Sequence, residues 1–138
     1  MTTSTLVDSN ILIDLLGTGP LAQGSVEALV EAFGRGDIVI SAVVWAEIAV
    51  PGLAEELLLQ KVSWLRPRRE ALPFEAAFPA GLAHRRYRER GGRRERTLPD
   101  FLIGAHALIR GHCLLTRDAS RYRSYFPELD IISPDTHP

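Results

Sequence analysis

Leu6-Val-Asp-Ser-Asn-Ile-Leu-Ile-Asp14 is the stretch on which the fold turns. Leu6 and Val7 form the core of a short strand with no polar side, as in strands buried on both faces. A carboxylate follows at once, and Asp8, Ser9 or Asn10 can cap a helix running from Ile11 to Leu16. The change from strand to helix recurs along the chain. Ile38-Val-Ile40 reads as a second buried strand, after which Ser41 caps a helix through Val44, Glu47 and Ile48 that stops at Pro51-Gly52. Cys113-Leu-Leu-Thr116 reads as a third, followed by a helix from Ser120 to Tyr125 and a last strand at Ile131-Ile132. Between them, Val26, Leu29, Val30 and Phe33 mark the buried stripe of a helix over residues 25–33. Further helices are expected over 53–60, 75–90 and 99–109, with a short strand near Ala71-Leu72 and a loop over 93–97. Short buried strands alternating with helices predict an α/β fold with a parallel sheet and helices on both faces.

The chain has 138 residues and 15.3 kDa, which fits a single domain spanning 1–138. Hydrophobic residues make up 46% and charged residues 24%, which excludes a disordered or collagen-like chain. The lone Cys113 cannot form an internal disulfide and suits a reducing cytoplasm. No apolar run approaches the roughly 18 residues that cross a membrane, and the first residues lack the basic region of a signal peptide. A net charge of −1 conceals an uneven distribution. Residues 1–60 carry one Arg against eight acids, whereas residues 61–96 carry Lys61 and ten Arg against four Glu. Such a basic block can attract a polyanion without a basic pI, or it can be an ordinary solvated helix face.

Four acids fall at informative places. Asp8 and Asp118 lie just past the first and third strands, where ligands bind in open parallel sheets. Asp100 opens a helix whose next turns, at Gly104 and Ala107, are small enough for close approach to the sheet. Glu47 lies seven residues past Ile40, on the same side of its helix as Val43 and Val44, and a carboxylate there needs a partner. Each acid alone reads as a helix cap or salt-bridge member. Together they favour a site for a hard cation such as Mg²⁺ or Mn²⁺.

Val7-Asp-Ser-Asn-Ile-Leu-Ile-Asp14, Ser41-Ala-Val-Val-Trp-Ala-Glu-Ile48, Leu98-Pro-Asp-Phe-Leu-Ile-Gly-Ala-His-Ala107 and Leu114-Leu-Thr-Arg-Asp118 resemble the four signature segments of PIN-domain ribonucleases. The likeness runs from about Thr5 to Pro134 and is greatest to the VapC-type toxins of type II toxin–antitoxin modules. It implies a three-layer α/β/α sandwich with a central parallel sheet. It also implies a Mg²⁺- or Mn²⁺-dependent endoribonuclease whose catalytic metal ligands are Asp8, Glu47, Asp100 and Asp118. Asn10 and Thr116 match the family's supporting polar positions. The resemblance further implies an RNA substrate such as tRNA or rRNA, a cognate VapB-like antitoxin that blocks the site, and a homodimer or toxin–antitoxin hetero-oligomer.

Arg85, Arg86, Arg88, Arg93, Arg94 and Arg96 are candidates for contact with RNA phosphates or with an acidic antitoxin segment. His84 and His106 share no metal-ligand spacing with another His or Cys and read as structural. A zinc site at His112 and Cys113 would need more partners. Asp14 reads as a surface helix acid. Two rival functions remain: a non-catalytic PIN-like module that binds RNA or protein, and a phosphoacceptor domain using Asp8. The phosphoacceptor reading calls for a second Asp two residues on, where Asn10 stands, and a late Lys, whereas Lys61 is the only one.

Overall fold

The structure is a computed structural model that describes residues 3–17, 19–91 and 97–134. Five parallel strands form one sheet: β1 (Thr5–Val7), β2 (Ile38–Ser41), β3 (Arg68–Glu70), β4 (Cys113–Leu115) and β5 (Ile131–Ile132), in the order β3-β2-β1-β4-β5. Seven helices join them: α1 (Ser9–Leu16), α2 (Ala22–Arg35), α3 (Ala42–Glu47), α4 (Glu55–Val62), α5 (Phe74–Glu89), α6 (Leu98–Arg110) and α7 (Ala119–Tyr125). Right-handed crossovers put α1–α4 on one face of the sheet and α5–α7 on the other. This is the α/β/α sandwich expected from the strand–helix alternation. Among the described residues no helix is long and apolar enough to cross a membrane.

The central strands are fully buried, as their apolar sequences require. The edge is different. The strand expected at Ala71-Leu72 lies instead at Arg68-Arg69-Glu70, largely exposed, and pairs only with β2. A charged edge strand needs no apolar run and discourages pairing with other chains.

Helix α2 buries another face than its hydrophobic stripe suggests. Ser25, Ala28, Leu29 and Ala32 are buried, whereas Val30 is 54% and Phe33 40% exposed. Small side chains let α2 lie close to α1, and the Ser25 hydroxyl donates to Asp14 at 2.6 Å. Asp14 is therefore no free surface acid; it also pairs with Arg117 at 2.7 Å.

After α2 the chain turns at Gly36 beneath the N-terminal segment. A Cβ at Gly36 would stand 2.3 Å from the Thr3 carbonyl oxygen. Gly36→Ala is expected to cost about 1–3 kcal/mol by forcing these backbones apart, read as a lower urea midpoint at unchanged slope.

Candidate active site

The switch in strand order around β1 opens a crevice at the carboxyl ends of β1 and β4. Asp8 sits there as the N-cap of α1, 4% exposed. Its carboxylate accepts from the Ser9 N–H at 2.8 Å and from the Thr116 hydroxyl at 2.7 Å, neither of which brings a positive charge. Burial raises the Asp8 pKa above the usual carboxylate range, and the Asp100 charge raises it further.

Thr116, just past β4, joins the two loops. Its oxygen also accepts from the Asn10 side-chain amide at 3.4 Å and from the Asp118 N–H at 3.0 Å. One hydroxyl thus uses its hydrogen and both lone pairs. Asn10 accepts in turn from the Arg117 N–H at 3.3 Å. The β1–α1 and β4–α7 junctions are pinned together, and Asp118 follows Thr116 at the cap of α7.

Glu47 differs from its expected setting. Helix α3 ends at Glu47, so the side chain is exposed at the crevice mouth while Val44 points into the core. Its pKa is raised by desolvation, with the charges of Asp8 and Asp100 adding, against a hydrogen bond from the Ser9 hydroxyl. Ser9, read from the sequence only as a candidate helix cap, therefore touches both carboxylates.

Asp100 is the third residue of α6 and closes a capping box with Thr97, whose N–H donates to it at 3.3 Å. That box holds the carboxylate at the start of the helix. Gly104 does allow a close approach, but to the Phe126 ring rather than to a strand.

The structure thus couples Asp8, Glu47 and Asp100 electrostatically and ties Asp118 to Asp8 through Thr116. Among the described residues these acids do not gather three carboxylates within 4.8 Å of one another.

Arg85, Arg86 and Arg88 are exposed on α5. Arg86 lines a shallow groove with Tyr87, Arg90 and Tyr125. Arg93, Arg94 and Arg96 lie outside the described residues. The Cys113 thiol is buried and its pKa pushed up to about 11, which leaves it unreactive.

The structure also brings together residues the sequence had kept apart. His106 and His112 both point Nε2 at Glu70 Oε1, each at 2.9 Å. The pairs are 36 and 42 positions apart in sequence, so no local spacing announces them.

The family model described as "PIN domain" matches residues 5–126. The chain is similar in structure to the VapBC2 complex of Rickettsia felis bound to a promoter DNA fragment, with a TM-score of 0.72 and 18% identity, covering 95% of this chain and 98% of that one. It is similar to FitAcB from Neisseria gonorrhoeae at a TM-score of 0.70 and 18% identity, covering 96% and 99%. VapBC-1 from nontypeable Haemophilus influenzae gives 0.72 and 17%, covering 97% and 100%. At these identities the likeness is one of fold. No curated protein matches the sequence. With the family model spanning all but the ends, and the same fold in its structural neighbours, the chain belongs to the PIN-domain family.

Proposed function

We propose that the protein is a divalent-metal-dependent endoribonuclease, the toxin of a toxin–antitoxin pair. The observation that carries this reading is the coupling of Asp8, Glu47 and Asp100 at the crevice, with the Asp118 backbone N–H held by the Thr116 hydroxyl that also donates to Asp8. Burial raises the pKa of Asp8 and Glu47, the charge of Asp100 adds to both and that of Asp8 to Glu47, and with neutral donors on Asp8 this fits a cation bound among them. Oxygen donors favour Mg²⁺ or Mn²⁺. A cation held there would supply an activated water for attack on a phosphodiester and neutralisation of charge at the departing oxygen. Asp8, Glu47, Asp100 and Asp118 would hold it, and Ser9, Asn10 and Thr116 would orient those carboxylates. Arg85, Arg86 and Arg88 offer charge to the RNA backbone.

Partner binding is supported by the structural neighbours, which include VapBC and FitAB assemblies. It is also supported by exposed apolar residues. Phe74 is 89% and Phe78 75% exposed on successive turns of α5, an arrangement that association with a partner would cover.

The test is cleavage of total RNA by purified protein with Mg²⁺ or Mn²⁺, and with chelator. Discrete fragments bearing 5′-phosphates, abolished by chelator, are expected. RNA bound but uncut under every metal would favour the binding module instead. Thr116→Val should lower cleavage by about 10–100-fold, because the partners that orient metal ligands contribute on that scale. Unchanged turnover would show that Thr116 does not orient the acids.

A further inference from the structure

Glu70, His106 and His112 belong to none of the machinery above. They come from the end of β3, the middle of α6 and the turn before β4. We propose that these three side chains form a second cation site, for a borderline transition metal such as Zn²⁺, which clamps the edge strand β3 to the corner between α6 and β4.

The donor set carries the assignment. Two imidazole nitrogens and one carboxylate oxygen suit Zn²⁺, Co²⁺ or Ni²⁺, whereas the all-oxygen acid cluster suits Mg²⁺ or Mn²⁺. The three donor atoms lie within 4.8 Å of one another, and this is the one such group among the described residues. Both Nε2 atoms stand 2.9 Å from the same Oε1. A tetrahedral Zn²⁺ with bonds of about 2.0–2.2 Å spaces its ligand atoms about 3.3 Å apart, so each nitrogen–oxygen distance needs to open by only a few tenths of an ångström.

The surroundings fit as well. His112 Nδ1 meets Ser4 Oγ at 2.6 Å, the outer partner that a metal-bound imidazole requires. Ser4 donates to that nitrogen when Nε2 holds the proton, and accepts from it once the proton moves to Nδ1. His106 Nδ1 is buried without a partner, a cost common to both tautomers. Arg68 takes the other Glu70 oxygen at 3.0 Å and also pairs with Asp37, so its charge is matched. The imidazole side chains are 0% and 3% exposed and Glu70 20%, which leaves entry and a fourth, water ligand on the Glu70 side. Burial lowers the His106 pKa, which keeps the neutral ring that binds metal.

The experiment titrates the chelator-stripped full chain with Co²⁺, a spectroscopic stand-in for Zn²⁺. With excess Mg²⁺ present to compete at the acid cluster, one equivalent should still bind, give strongly shifted exchangeable N–H signals from two imidazoles in the proton NMR spectrum, and be displaced by Zn²⁺. Glu70→Gln and His112→Gln should weaken binding at least tenfold, while Asp100→Asn leaves it unchanged. Absence of the two shifted imidazole signals in the unsubstituted chain overturns the proposal, whether or not the Gln variants fold. So does Co²⁺ binding that survives His112→Gln and is lost in Asp100→Asn.

Discussion

Asp8→Asn and Asp100→Asn are each expected to lower RNA cleavage by at least about 10²–10³-fold, the scale on which loss of a group that positions transition-state charge is felt. Asp8 is central because β1 delivers it to the crevice and Thr116 and Ser9 fix both its oxygens. Asp100 contributes from the opposite wall, where the capping box aims it. The loss should not come from unfolding. The folded-state pKa of Asp8 is raised, so its ionisation opposes folding: without metal, this group's contribution to stability is fully present below its unfolded pKa and is lost as pH rises through the raised folded value. Asp100 adds to that penalty. Asp100→Asn should therefore melt no lower than the parent chain at neutral pH without cation, while cleaving poorly. A variant that melts well below the parent would mean that Asp100 serves the fold instead.

Gly104→Ala is expected to destabilise the fold at the contact between α6 and Phe126. A Cβ there would lie 2.4 and 2.6 Å from two carbons of the Phe126 ring, inside any tolerated contact. Alanine gains about 1 kcal/mol of helix propensity over glycine. Overpacking a full core costs about 1–3 kcal/mol, and more where a rigid ring must move. Phe126 follows α7 and is buried, so the ring has little room to yield. A net loss of about 1–2 kcal/mol is expected, lowering the melting temperature by about 5 °C for a domain of this size. Phe126→Leu in the same chain should recover part of it. An undiminished melting temperature for Gly104→Ala would show that α6 and the segment after α7 are less tightly packed than described.

The central strands were legible because Leu6-Val7, Ile38-Val-Ile40 and Cys113-Leu-Leu115 have no polar side to place in water. Strand β3 was not, since Arg68-Arg69-Glu70 pairs along one edge only and its side chains remain largely in solvent. Helix α2 misled for a related reason. Periodicity weighs side-chain hydrophobicity, but close approach to α1 is decided by small size, so Ser25, Ala28 and Ala32 are buried and Phe33 is left partly outside. The sequence singles out Asp8, Asp100 and Asp118 because each stands where a strand has just ended or a helix begins. Glu47 shows the limit of that reasoning: its side was inferred from a helix that stops at Glu47 itself. The site contacts of Ser9 and Arg117 carry no signal before the loops are folded together. Glu70, His106 and His112 meet only in the folded chain, 36 and 42 positions apart, a tertiary fact that no spacing encodes.

The most direct test is an Mn²⁺ binding isotherm on the metal-stripped chain beside Asp8→Asn, Asp100→Asn and His112→Gln. The acid cluster as cation site predicts that both Asn variants bind Mn²⁺ at least tenfold more weakly and that His112→Gln binds it like the parent. Equal affinity in the parent chain and both Asn variants would contradict it.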